Sequence, residues 1–284
     1  FYRALFTANY TIESENMIEE GTADEVRQLV GESYMLRAYV HFLLVNLYGE
    51  PYTHCDPATS KAIPLKLNSD TEAVLTRNTV GEVYSSILSD LVEAEKYLNV
   101  DKWELGYNYR FTTLAVNALR SRVYLYMGDW AKSFEASEAV LSVNNQLVDM
   151  SSSTILPNEY NSSENILALE EVMNAQYVRA AKVATSLWKL YGTGDLRKSK
   201  YFKQVTASNI QVIKGGSNQY RCSFRVGEIY LNAAEAALMT GEAAIDVARE
   251  NLLTLMEKRY TANAYAAKEA AVNAMGRDEL LQEI

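Results

Sequence analysis

The sequence predicts a mainly α fold of paired helices, and three observations carry that expectation: scarce proline, two helix-start signatures and a helical hairpin that occurs twice. All four prolines lie at or before Pro157, so residues 158–284 contain none. Proline interrupts helices and is otherwise used freely in loops, so a Pro-poor chain rich in Ala, Leu, Glu and Lys reads as helical.

The two start signatures are capping boxes, Thr22 with Glu25 and Thr79 with Glu82, in which the Thr hydroxyl accepts the third amide and the Glu reaches back to the cap. The first opens a helix running to about Tyr48, where Gly49 and Pro51 stop it; the second helix ends near Leu98. Residues 49–78 hold three of the four prolines and are expected to form a surface loop. From Thr112 the apolar spacing Ala115, Leu119, Val123, Tyr126 marks one face of a helix that closes at Gly128-Asp129, and a further helix follows from Trp130 to about Val143. Residues 225–260 repeat the arrangement, with Tyr230, Ala234, Ala237 and Leu238 as the stripe, Gly241-Glu242 as the turn, then Val247, Ala248 and Leu252. Shifting the chain by 113 positions lays Leu125-Tyr-Met-Gly-Asp on Leu238-Met-Thr-Gly-Glu.

Small residues such as Ala118, Ala136, Ala139, Ala234, Ala237 and Ala248 allow two antiparallel helices to approach closely around a short Gly turn. This is the logic of tetratricopeptide repeats, whose ordinary period of about 34 residues is interrupted here by a loop-rich insert at 144–223. The insert carries Ser151-Ser152-Ser153, Gly192, Gly194 and Gly215-Gly216, and its alternating run Ile166 to Leu169 predicts a short strand.

The chain has 284 residues and a net charge of −9, with 48% apolar and 22% charged residues. That composition is globular, and its charge disfavours nucleic acid and anionic lipid surfaces as partners. Cys55 and Cys222 make at most one bridge. No apolar run approaches the roughly 18 to 20 residues of a membrane-spanning helix. The chain opens on Phe1-Tyr2-Arg3 rather than Met, which suggests a processed form, a trimmed form or part of something longer.

Enzyme signatures are weak. No G-x-S-x-G elbow occurs, and the two histidines, His41 and His54, are not placed beside a nucleophile. His54-Cys55-Asp56 lacks the second ligand pair of a metal site and reads as a polar loop; Gly192 to Asp195 reads as a turn rather than a phosphate cradle. Nothing singles out a carboxylate pair such as Glu170-Glu171 or Asp278-Glu279 for glycoside hydrolysis. No catalytic residue, metal ligand or cofactor is expected.

Aromatic residues are more informative, with 20 Tyr and 3 Trp against 7 Phe, because amphipathic rings stack on sugar faces while their edges hydrogen-bond. Loop aromatics form the groups Trp103, Tyr107, Tyr109 with Arg110; Trp188, Tyr191 with Tyr201; Tyr220 with Arg221; and Tyr48 with Tyr52. The candidate ligand-binding residues are Trp188, Tyr191 and Tyr220 as stacking groups, Arg221 (or Asn218) as a hydroxyl partner, and Trp103 next.

Specific residues also match a known family. Gly31-Glu32 through Leu36-Arg37-Ala38-Tyr39 and Leu47-Tyr48-Gly49-Glu50-Pro51-Tyr52 resemble the signature helix of the SusD/RagB family of outer-membrane nutrient-binding lipoproteins. Arg77 to Ala94, Ala118 to Trp130, Glu164-Asn165-Ile166, Asp195-Leu-Arg197 and Phe224-Arg225 to Ala236 resemble further family elements in family order. The resemblance covers most of residues 25–260. It implies a single domain over 1–284, truncated at both ends, with a right-handed helical scaffold (1–143 and 224–284) around the insert 144–223. It further implies a surface-exposed lipoprotein, anchored outside this chain, that binds a glycan or other nutrient without catalysis and passes it to a SusC-like TonB-dependent transporter. The competing reading from the residues alone is an intracellular tetratricopeptide adaptor that holds a partner peptide.

Overall fold

A computed structural model describes residues 1–170, 182–207, 209–214 and 220–284, the last side chain before the first gap and those of 220–222 excepted. Eleven α-helices and four short strands occur among them, and the chain gathers into two compact units. The mainly α architecture is the one expected.

The first unit comprises residues 1–104 and 110–136. It holds α1 (Tyr2–Glu13), α2 (Ala23–Tyr48), α3 (Val80–Tyr97), α4 (Thr113–Met127) and the start of α5 (Trp130–Leu141). Both capping boxes form: Thr22 and Thr79 Oγ1 accept the amides of Glu25 and Glu82, whose carboxylates accept the Thr amides at 2.7 Å. Met35, Phe42, Val83, Tyr84, Ile87, Leu91 and Leu119 pack the core. Inside it, Arg37 forks onto Asp90, with Nε to Oδ2 at 2.9 Å and Nη2 to Oδ1 at 2.6 Å, and donates Nη1 to Asn9 Oδ1 at 2.8 Å. Asn9 in turn donates to the carbonyls of Lys66 and Asn68, so three helices and the 49–78 loop share one polar knot. Gly31 is where α2 meets the end of α3, since a Cβ there would lie 2.8 Å from the Leu98 amide nitrogen. The turn after α4 uses Gly128 at φ 72°, a left-handed conformation that glycine adopts without strain.

The second unit comprises residues 105–109 and 137–284. It contains the end of α5, strand β1 (Asn165–Glu170), short helices α6 (Thr185–Leu190) and α7 (Leu196–Tyr201), and strands β2 (Phe202–Thr206), β3 (Asn209–Val212) and β4 (Tyr220–Arg225). Helices α8 (Val226–Thr240), α9 (Ile245–Glu257), α10 (Ala262–Ala274) and α11 (Arg277–Glu283) complete it. The predicted strand at Ile166 is β1, which pairs antiparallel with β4, Glu170 opposite Tyr220 and Leu169 opposite Arg221; β2 and β3 form a separate hairpin.

Two stripe positions differ from expectation. Tyr126 is 48% exposed and Val247 38% exposed, whereas Ala115, Leu119, Val123, Ala248 and Leu252 are buried. Val247 sits at the edge of its stripe, where the 100° step per residue rotates it out of the contact face; Tyr126 lies within its stripe's arc but in the last turn of α4, where its ring meets Phe42 edge-on at 5.2 Å.

Candidate ligand-binding site

Trp188 lies in the last turn of α6, where its amide donates to Ala184 O at 3.0 Å, and Tyr191 caps the same helix three residues later. Residues three apart share a helix side, so the pair presents two rings together. Both converge on Phe202: Trp188 meets it edge-on, with centroids 6.0 Å apart at 89°, and Tyr191 lies 5.1 Å away, tilted by 57°. Trp188 and Tyr191 remain half-buried, and Leu190 beside them is 79% exposed.

The intervening turn holds this geometry. Asp195 is buried and accepts from the Arg197 amide at 3.0 Å, while the Arg197 guanidinium forks back with Nε to Oδ1 at 3.0 Å and Nη2 to Oδ2 at 2.8 Å. Arg197 also lies 5.4 Å from the Tyr191 ring centroid and 5.8 Å from that of Tyr260. Backbone bonds from Leu196 N to Arg259 O and from Thr261 N to Gly194 O, both 2.9 Å, pin the turn to the end of α9. Gly194 has φ 82°, and a Cβ on it would fall 2.3 Å from the Cβ of Ala264; no other residue fits that crossing. One step on, Lys198 Nζ donates to Tyr191 O at 2.7 Å and stands 4.8 Å from the Trp188 ring centroid. Phe202 and Lys198 belong to this cluster and were not singled out from sequence.

The other candidates fall elsewhere. Tyr220 and Arg221 start strand β4, and their side chains lie outside the described residues, as do Asn218, Gly215-Gly216 and Glu171. Trp103 belongs to the first unit, where its Nε1 donates to Phe111 O at 3.0 Å and the Arg110 guanidinium lies 3.9 Å over its ring. Arg110 is itself paired with Glu32 at 2.7 Å, and burial raises the Glu32 carboxyl above its ordinary range. Tyr107 and Tyr109 belong to the second unit with rings 6.3 Å apart, both exposed, in a loop whose Asn108 carbonyl accepts from Ala168 of β1.

Two concavities lie apart from this cluster. One of about 570 Å³ lies between α10 and α11 beside Glu279 and Glu283, carboxylates already engaged by the Gly276 amide and Lys268. The other, about 440 Å³, opens in the first unit beside Tyr2, Leu44, Tyr48 and Ile63. Among the described residues no three His, Cys, Asp or Glu side chains converge as metal ligands, and no helix is long and apolar enough to cross a membrane. His54 pairs with Thr53, and Asp56 caps Ala58 and Thr59.

Comparison with known proteins bears on this arrangement. The profile of a SusD-like family, described as starch-binding and associating with the outer membrane, matches residues 1–125. A SusD-like protein, P38 of Formosa agariphila, is 29% identical over 144 residues, 51% of this chain and 25% of that protein. The chain thus matches about a quarter of the length of that curated relative. A crystal structure of a SusD superfamily protein from Bacteroides thetaiotaomicron superposes over 99% of this chain and 69% of its own, with a TM-score of 0.82 at 22% identity. A laminarin-binding SusD-like protein superposes over 96% of this chain and 73% of its own, with a TM-score of 0.67 at 18% identity. The profile thus matches the first 125 residues, and nearly the whole chain shares its fold with SusD superfamily structures, so the chain is similar to the SusD-like family in sequence over its first part and in fold throughout.

Proposed function

We propose that this chain is the ligand-capturing part of a surface nutrient-binding lipoprotein, which holds a glycan on loop aromatics without covalent chemistry and passes it to a SusC-like TonB-dependent transporter. The observation that carries the reading is the half-exposed Trp188–Tyr191 pair braced on Phe202, an aromatic platform on a SusD-like frame. Rings of this kind stack on the apolar faces of sugars, and their N–H and O–H edges meet hydroxyls. Tyr220 and Arg221, opposite Glu170 and Leu169 in the β1–β4 pair, are proposed as further ligand contacts, with Trp103 next. The laminarin-binding relative and the family's starch-binding description support a saccharide as ligand and binding rather than turnover as the activity. The outer-membrane description of the family supports the proposed surface location.

The test is a glycan array probed with the wild-type chain and with Trp188→Ala/Tyr191→Ala. Retention of saccharides by the wild type and their loss from a variant with an unchanged circular dichroism spectrum is the expected result. Equal retention by both removes these rings from the site. Protease shaving of intact cells with immunoblot detection tests the location, rapid loss with cytosolic markers untouched being expected.

A further inference from the structure

The segment that carries Trp188 and Tyr191 differs in charge from the rest of the chain. Between residues 182 and 214 seven Lys and Arg stand against a single acid, Asp195, within a protein whose total charge is −9. That one carboxylate is consumed: both its oxygens accept from Arg197, and it lies buried. The lysines are not neutralised in the same way. Among the described residues Lys182, Lys189, Lys198, Lys200 and Lys203 form no ion pair; Lys198 and Lys200 donate instead to the carbonyls of Tyr191 and Ser153, at 2.7 and 3.2 Å, and Lys182, Lys189 and Lys203 are exposed. An ammonium resting on a carbonyl keeps its full charge and two more N–H donors. Lys198 carries that charge to 4.8 Å from the centre of the Trp188 ring.

A neutral sugar presents hydroxyls that donate as well as accept, and sites for it need acceptors beside the stacking ring. The charged side chains of this segment donate without accepting, since a lysine has no acceptor atom and Asp195 is spent. Resting on the reading of the Trp188–Tyr191 pair as a glycan platform, we infer that this platform selects an acidic oligosaccharide, one carrying carboxylate or sulfate groups that Lys198 and the other lysines of the same segment meet. Single-stranded nucleic acid also suits rings among lysines, but the long-range repulsion of a chain at −9 weighs against a polyanion that extends beyond the patch.

The experiment is titration calorimetry of the full chain with four probes: tetragalacturonate, a chondroitin sulfate tetrasaccharide, maltotetraose and an oligothymidylate. Each is run at 50 and 500 mM NaCl, on wild type, on Lys189→Glu/Lys203→Glu and on Trp188→Ala. The inference expects an acidic saccharide to bind about tenfold or more tighter than maltotetraose, with the uronate and sulfate probes showing which group is preferred. It expects salt to weaken that binding about fivefold or more, and the charge-reversed variant to lose about tenfold, the equivalent of roughly 1.4 kcal/mol, while its maltotetraose affinity and thermal midpoint stay put. Tighter, Trp188-dependent binding of maltotetraose overturns the acidic selectivity and leaves the glycan platform standing. Preference for the oligothymidylate overturns it in favour of nucleic acid. No Trp188-dependent binding of any saccharide removes both the selectivity and the platform.

Discussion

Arg259 and Glu164 meet inside the second unit, Nη2 to Oε1 at 2.5 Å, with the arginine 5% and the glutamate 0% exposed. The same Oε1 accepts the Val148 amide at 2.9 Å, Arg259 Nη1 donates to Val148 O at 2.8 Å, and the Glu164 carbonyl accepts from Val226 at the start of α8. One ion pair thereby fastens the end of α9, the entry to β1 and the entry to α8. Gly227 completes the fit, because a Cβ there would lie 2.9 Å from Glu164 Oε2 and 3.2 Å from Arg259 Nη2.

Removing one partner of a buried pair strands the other charge, which costs about 3–5 kcal/mol. Arg259→Met is therefore expected to lower urea-unfolding stability by that amount, and Arg259→Met/Glu164→Gln by clearly less than the sum of the single changes, a coupling that a double-mutant cycle reads directly. Gly227→Ala is expected to cost about 1–3 kcal/mol by overpacking.

His41 is fully buried, and burial, aided by the nearby Arg37, pushes its imidazole pKa down to about 4 from an ordinary 6.5. The unfolded chain thus takes up this proton at higher pH than the folded one. Stability is full above about pH 6.5 and falls as pH drops toward 4, by about 2 kcal/mol between pH 7 and pH 5. Denaturant titrations at those two pH values are expected to show this loss for the wild type and its near absence for His41→Gln, whose carbonyl can still accept from the Lys66 amide as His41 Nε2 does at 3.4 Å.

Thr79 is 8% exposed and caps α3 through its hydroxyl. Thr79→Ala leaves the Glu82 amide without that acceptor and is expected to cost about 1 kcal/mol, seen as a lower urea midpoint with an unchanged slope. A drop of less than a few tenths would mean that solvent replaces the cap freely.

Trp188→Ala and Tyr191→Ala are expected to weaken saccharide binding by about tenfold each, with little effect on thermal stability, because both rings are half-exposed and a stacked ring is worth about 1 kcal/mol beyond its buried area. Trp103→Ala should behave differently. Its indole N–H bonds Phe111 O beside the Gln28 amide that binds the same carbonyl, so the thermal midpoint itself is expected to fall.

The helices that were legible in the sequence are those whose ends are written in side chains. Thr22-Glu25 and Thr79-Glu82 announced α2 and α3, and the Gly128 and Gly241 turns announced the hairpins. Helices α1 and α10 carry no such mark: neither Phe1 nor Thr261 makes a side-chain cap bond, and their buried faces are narrow, Leu5, Ala8 and Asn9 in one and Val272 in the other. The candidate site was legible in part. Trp188 and Tyr191 stood out as loop aromatics three residues apart, but Phe202 reaches them only because the Asp195–Arg197 turn folds α7 back. Lys198 joins them through a backbone carbonyl, a contact that no residue pattern encodes. The group Trp103, Tyr107, Tyr109 and Arg110, adjacent in sequence, divides between the two units.

The pairing of Glu170 with Tyr220 has a consequence for how such a chain diversifies. Antiparallel partners sit about 5 Å apart, so everything from 171 to 219, Trp188 and its lysines included, leaves and returns through one doorway. Such a segment behaves as a cassette. Away from the Gly194–Arg197 turn that is bonded to Arg259 and Thr261, its length and side chains can be exchanged at small cost, since doubling a loop adds only about 0.6 kcal/mol of closure entropy, while that turn, the capped helices and the Arg259–Glu164 pair stay fixed. Transplanting residues 171–219 between relatives of this fold, with the Gly194 turn kept, is a route by which one frame acquires a new set of side chains at that doorway.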